Sequence, residues 1–198
     1  MPKVVVIAGP NGAGKSTTAP KLLREALAVD EFVNADTIAA GLSAFAPERV
    51  AFTAGRAMLA RLQELASAHD DFAFETTLSS RSFAPWLRGL QEGGYSVHLI
   101  YLWLPSADLA VERIAERVRR GGHDVPEPVV RRRYEKSLVN FFNLYRPIAE
   151  SWLMLDNSRQ LGPRPIAWRN SGGPLQIVKG GPWAALRKRY ERDILDKR

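Results

Sequence analysis

Short apolar runs alternate with longer amphipathic stretches along this chain. Residues 4–8, 31–34, 72–75, 96–104 and 152–155 read as strands. Several are almost continuously apolar, as strands are when both faces are covered. The segments between them have helical spacing. Residues 15–28 follow the first strand. Residues 47–66 carry Val50, Ala54, Met58, Leu62 and Leu65 at steps of three and four, one apolar stripe on a helix that Pro47 can start. Ser106 is placed to cap a helix running to Arg120, with Val111, Ile114 and Val118 turned inward and Gly121-Gly122 ending it. Residues 127–150 form a long segment bearing Val130, Tyr134, Leu138, Phe141, Tyr145 and Ile148. Alternation of strand and helix predicts an α/β fold with a mainly parallel sheet flanked by helices.

The pattern changes after residue 156. Residues 157–183 are rich in Gly and Pro, and residues 166–169 and 175–179 flank Asn170-Ser171-Gly172-Gly173, which reads as a small hairpin. A short helix over residues 182–195 follows. Residues 157–198 are expected to be an appendage of a single domain spanning residues 1–198.

Composition narrows the chemistry. The chain has 198 residues, 45% hydrophobic and 25% charged, enough to bury a core without covalent staples. It contains no cysteine, which excludes thiolate nucleophiles, cysteine zinc sites, iron–sulfur clusters and a disulfide framework, and fits a reducing compartment. No apolar run approaches the roughly 18 residues of a membrane span, and the first strand lacks the features of a secretory signal. A cytoplasmic protein with no membrane partner is expected. The net charge of +7 points to an anionic ligand: a nucleotide, a sugar phosphate or nucleic acid.

Gly9-Pro10-Asn11-Gly12-Ala13-Gly14-Lys15-Ser16 matches G-x-x-x-x-G-K-[ST], with an apolar strand before it and a helical segment after it, as the motif requires. Its glycines let backbone amides converge on phosphate oxygens, and the next helix adds its positive end. Lys15 is expected to bridge the β- and γ-phosphates of ATP and Ser16 to ligate Mg²⁺.

Acidic residues at strand ends are the natural company of such a loop, because ligands gather beyond the carboxyl ends of parallel strands. Asp36 can orient an acceptor hydroxyl and take its proton, with a water-mediated Mg²⁺ contact or an N-cap for the segment beginning at Thr37 as competing roles. Glu75 resembles a Walker B acid and can hold Mg²⁺-bound water or a substrate hydroxyl; a solvated strand end is the plain alternative. Asp156-Asn157-Ser158 reads as a turn near the base of the nucleotide, with Asn157 as a contact.

Residues 113–136 are crowded with arginine around Gly121-Gly122, like a helical lid that closes over phosphates. Arginine suits this because its fork grips phosphate oxygens and its charge is permanent. Arg131 can pair with Glu127 or Glu135 at four residues, whereas Arg132 and Arg133 have no such partner. Arg117 is ambiguous, lying beside Glu116 and Arg113. Arg120, at the hinge, and one of Arg132 or Arg133 are therefore the expected phosphate contacts, and His123 can donate to phosphate or substrate.

These pieces, in this order, make the chain resemble the zeta-toxin family of P-loop kinases over roughly residues 3–180. The resemblance rests on the loop continued through Thr17-Thr18, on Phe32-Val33-Asn34-Ala35-Asp36, and on Phe74-Glu75-Thr76-Thr77-Leu78. It rests also on Arg120-Gly121-Gly122-His123-Asp124-Val125-Pro126 with Arg131-Arg132-Arg133-Tyr134, and on Leu155-Asp156-Asn157-Ser158. It implies a P-loop kinase fold, ATP and Mg²⁺ as donor, and Thr17 among the loop residues that bind it. It implies Asp36 as general base, Glu75 with Thr77 on the acceptor, and lid arginines on the phosphates. The best-known family acceptor is the nucleotide sugar UDP-N-acetylglucosamine, and a small helical antitoxin can block the ATP site. With its first strand at the start, the chain is expected to have no room for a fused antitoxin, and the extra substrate-binding segments of long members are not recognisable in it. A housekeeping or resistance-type small-molecule kinase is thus the companion expectation. A polynucleotide kinase or nucleic-acid-binding protein is the alternative, motivated by the charge and by Arg187-Lys188-Arg189, but no stacking or base-reading motif accompanies them. A GTPase-like switch lacks an Asn-Lys-x-Asp.

Overall fold

The computed structural model describes residues 1–159 and 161–192. Strand β1 (Lys3–Ala8) lies at the centre of the five parallel strands of the sheet. It is followed by α1 (Lys15–Lys21), β2 (Glu31–Val33), α2 (Ala35–Leu42), α3 (Ala51–Ala68) and β3 (Phe72–Thr76). Then come α4 (Phe83–Glu92), β4 (Ser96–Trp103), α5 (Ala107–Arg119), α6 (Glu127–Asn140) and β5 (Ser151–Asp156). The short strands β6 (Arg164–Arg169) and β7 (Gln176–Ile177) precede α7 (Gly180–Tyr190).

The sheet order is β2-β3-β1-β4-β5-β6-β7. The pairs from β2 through β5 are parallel, and β6 and β7 add antiparallel to the far edge. β1 sits between β3 and β4, with Val6 opposite both Phe74 and Leu99. Val4, Val5, Val6, Ile7 and Ala8 are accordingly all buried, which is why the run is unbroken in hydrophobicity. All parallel strands end on the same side, so the chain segments leaving β1, β2 and β3 meet above that edge.

Two helices were not predicted. α2 buries only Ala39, so it shows no readable stripe; it forms because the Asn34 side chain accepts from the backbone N–H groups of Asp36 and Thr37. The N-cap role considered for Asp36 thus belongs to Asn34. α4 lays Ala84 and Leu87 on the core, with Phe83 and Trp86 packed against Phe74. The segment expected as one helix over residues 127–150 is α6 followed by a π-helical turn, Phe141–Tyr145, in which Phe141, Phe142 and Tyr145 are all buried. A π-helical turn also ends the α1 segment, at Leu22–Leu27, and α3 is led by a 3₁₀ turn, Pro47–Val50. In α5 the inward side chains are Ala110 and Ile114. Val111 is half-buried, and Val118 is 39% exposed because the last turn runs out beyond the core.

The C-terminal region continues the sheet. The expected hairpin is β6 and β7, and Trp183 of α7 stacks on Trp152 of β5 at 5.3 Å. Arg146 lies over both indoles and pairs with Glu191, a partly buried aromatic and ionic clamp on the last helix. Residues 193–195 of the predicted final helix lie outside the described residues.

Candidate active site

Six residues connect the end of β1 to α1, and the backbone takes positive φ at three of them, Gly9, Gly12 and Gly14. Gly9 has φ +143°, and a Cβ there would fall 2.3 Å from the Leu102 carbonyl oxygen. Gly14 has φ +76°, and its Cβ would fall 2.8 Å from Asn157 Nδ2. Asn157 in turn donates to the Ala13 carbonyl at 2.8 Å. The end of β5 therefore braces the loop from behind: Asn157 holds the loop backbone. Asp156 accepts from Ser158 N at 2.9 Å and pairs with Lys179 at 2.8 Å, as a turn residue does.

Lys15 is the first residue of α1 and is 6% exposed. Its ammonium donates to the Pro10 carbonyl at 3.0 Å and lies 3.7 Å from Glu75 Oε1. Burial lowers its pKa, and the nearby Glu75 and Asp36 oppose that effect. A buried cation with so few partners is a strong attractor for an incoming anion. The Ser16 hydroxyl donates to Glu75 Oε2 at 2.8 Å, and Asn34 Nδ2 donates to the same oxygen at 2.7 Å. Asp36, on the first turn of α2, joins Lys15, Ser16, Thr17 and Glu75 in lining a cleft of about 460 Å³.

The opposite wall is α5. Arg113, Arg117 and Arg120 line the cleft with Asn11, Gly12, Gly14, Glu116 and Gly122. Arg113 donates to the Ser158 carbonyl at 2.9 Å and to the Gly12 carbonyl at 3.4 Å. Arg117 donates to the His123 carbonyl at 2.6 Å, while its Nε is buried with no partner among the described residues, as is Asn11 Oδ1. Arg120 pairs with Glu116 at 2.5 Å, and its side chain is 78% exposed.

The other expected contacts stand apart. Arg132, Arg133, His123 and Thr77 are not among the side chains lining the cleft. Arg132 is exposed and Arg133 half-buried on α6. Arg131 binds Glu127 at 2.7 Å and Asp108 at 2.6 Å, while Glu135 binds Arg189 instead. The His123 ring is 4.0 Å from Glu48, and the Thr77 hydroxyl shares a hydrogen bond with Ser79 at 2.8 Å. Sequence reasoning passed over Arg113 and Asn34 as site residues. The one readable signal was the four-residue spacing of Arg113 and Arg117, which puts both on one helix face.

The donor set fits a nucleotide with magnesium. The loop is a backbone cradle that a Cβ at Gly9 or Gly14 would fill. Ser16 and Glu75 offer hard oxygen donors 2.8 Å apart, and no group of three His, Cys, Asp or Glu suited to a metal occurs among the described residues. Magnesium binds in this way, through one or two protein oxygens completed by phosphate and water.

Fold and loop together define a protein of the P-loop kinase fold. A family model described as an AAA domain matches residues 4–140, and the chain belongs to that family. An uncharacterized protein of Haemophilus influenzae is 32% identical over 134 residues, 67% of this chain and 92% of that protein. Among solved structures, the AvrRxo1-ORF1:-ORF2 complex with ATP superposes with a TM-score of 0.73 at 16% identity. That match covers 98% of this chain, which spans 65% of the length of the matched chain. The PezAT toxin–antitoxin system of Streptococcus pneumoniae gives a TM-score of 0.60 at 14% identity, over 96% of this chain and 86% of that one. At these identities the likeness is one of fold.

Proposed function

We propose that the protein is an ATP-dependent phosphotransferase that moves the γ-phosphate to a hydroxyl of a small molecule. The observation that carries this reading is the convergence of Lys15, Ser16, Asp36 and Glu75 on one cleft with three arginines opposite. The phosphate donor, bound with Mg²⁺, supplies an electrophilic phosphorus on a good leaving group. Backbone amides of the Gly9–Ser16 loop hold the β- and γ-phosphates. Lys15 would leave the Pro10 carbonyl for them, and Ser16 and Glu75 would hold the metal. Asp36 orients the acceptor hydroxyl in line and accepts its proton. Positioning and charge neutralisation supply most of the acceleration, because the transition state is loose. Arg113 and Arg117 are already at the cleft wall, and Arg120 can leave Glu116 to join them. The α5–α6 pair then acts as a lid that excludes water around the Gly121-Gly122 hinge.

UDP-N-acetylglucosamine is the first acceptor to test, given the zeta-toxin resemblance. The AvrRxo1-ORF1:-ORF2 and PezAT structures are complexes with partner proteins, which supports a protein antitoxin as a partner here. No helix among the described residues is long and apolar enough to cross a membrane. The test is purified protein with γ-labelled ATP and Mg²⁺ against nucleotide sugars, nucleosides, aminoglycoside-type antibiotics and oligonucleotides. Label on a small-molecule hydroxyl is the expected result. Label on oligonucleotides alone overturns the small-molecule reading, and no transfer to any acceptor overturns the enzyme reading.

A further inference from the structure

The phosphotransfer reading assigns Lys15, Ser16, Asp36 and Glu75 and leaves Asn34 without a role. Yet Asn34 is 5% exposed, and among the described residues only Lys15 and Ser137 join it as buried polar or charged side chains. Burying an amide is costly unless every polar atom is used. Asn34 uses both ends. Its Oδ1 accepts from the backbone N–H of Asp36 at 2.8 Å and of Thr37 at 3.2 Å, which starts α2. Its Nδ2 donates to Glu75 Oε2 at 2.7 Å and reaches the Ser16 hydroxyl at 3.5 Å. The network fixes the orientation of the amide, because a flipped group would set its NH₂ against two N–H donors.

Glu75 has a competing attraction. Lys15 Nζ is 3.7 Å from its Oε1, and in a buried setting an unopposed ammonium would draw the carboxylate into a close ion pair. Such a pair would occupy the lysine that the phosphates need. The donors at Oε2, Ser16 and Asn34, hold the carboxylate the other way. Of these, only Asn34 is also anchored to the helix that carries Asp36.

We propose that Asn34 is a positioning residue for magnesium and nucleotide: one buried amide holds Glu75 Oε2 beside the Ser16 hydroxyl while fixing the start of the Asp36 helix. The assignment rests on the nucleotide reading of this cleft. It predicts that the two ends of the side chain can be separated. Serine is as good an N-cap as asparagine but is too short to donate to Glu75 as well.

The experiment is calorimetric titration of ATP into the full chain, once with Mg²⁺ and once with EDTA. In the wild type, Mg²⁺ is expected to tighten ATP binding. Asn34→Ser is expected to cut that Mg²⁺-dependent gain at least tenfold, while ATP affinity in EDTA stays within twofold and Tm stays close to the wild type. Asn34→Thr, also a capping residue, serves as the second variant should the serine protein melt early. In a Glu75→Gln background, Asn34→Ser should change the gain less than twofold, because the carboxylate it positions is gone. An Asn34→Ser protein that keeps the full gain overturns the proposal. So does one that loses ATP affinity equally with and without Mg²⁺, which is the signature of a merely structural residue. The readout is binding, so a wild type that binds Mg²⁺ with ATP but phosphorylates nothing overturns the transfer reading while the Asn34 result still decides this one. A wild type that binds no ATP overturns both.

Discussion

The Ser16 hydroxyl donates to Glu75 Oε2 at 2.8 Å across 59 residues of sequence. This bond joins the start of α1 to the end of β3, the strand beside β1, and so sets the floor of the cleft. Removing either partner tests what the floor is for. Glu75→Gln keeps the shape and loses the charge. It is expected to lower transfer by about 10²–10³, with the loss partly recovered at high Mg²⁺. Steady-state rates across a Mg²⁺ series measure this, and a rate unchanged at low Mg²⁺ removes Glu75 from the metal site.

Lys15 is a buried cation held by one carbonyl and a nearby carboxylate. Lys15→Met is expected to reduce transfer by at least about a hundredfold, since a preorganised charge opposite developing negative charge is lost. Tm of the free protein is expected to change little, because the relieved cost of burying the ammonium offsets the loss of the cation beside Glu75, which keeps its Ser16 and Asn34 donors. Activity assays and thermal melts together check this.

Asp36 faces the cleft from the first turn of α2, but the cap of that helix is Asn34. Asp36→Asn is therefore expected to leave Tm and ATP affinity near the wild type while kcat drops by about 10²–10⁴, the usual contribution of a positioned base. Wild-type kcat in this variant removes Asp36 from the base role.

Arg117 and Arg132 make a matched pair for comparison, one at the cleft wall and one outside it. Arg117→Ala should lower kcat by about 10²–10³ and Arg132→Ala by less than about twofold. Arg117→Lys should rescue poorly, because an ammonium cannot reproduce the fork. The reverse ranking would return the phosphate contact to α6.

Asp156 shows a pH effect whose sign can be worked out. Partial burial by itself raises its pKa, but Lys179 and Ser158 outweigh that and hold it below the ordinary 3.8. A depressed carboxylate stabilises the fold above its unfolded value, and the contribution is lost as pH falls through the lower, folded one. Asp156→Asn should thus lower Tm near neutral pH, and the gap to the wild type should close as the pH drops below 3.8. A gap that persists in acid would mean that the amide fails for steric reasons.

The sequence alone determined the loop, the central strands and the α/β alternation, because each depends on neighbours close in the chain. Glycine at positive φ, a run buried on both faces and a stripe at helical spacing are local signals. It also supplied the acids at strand ends, since a parallel sheet puts all those ends on one edge. The structure decided which groups meet. Asn157 reaches Ala13 across 144 residues, Arg113 reaches Gly12 across 101, and Asn34 reaches Glu75 across 41. Arg132 and Arg133 had the sequence credentials of free arginines, yet they are not among the residues lining the cleft, whereas α5 brings Arg113 and Arg117 to its wall. Helix spacing says which residues share a face, and only packing against the sheet says what that face looks at.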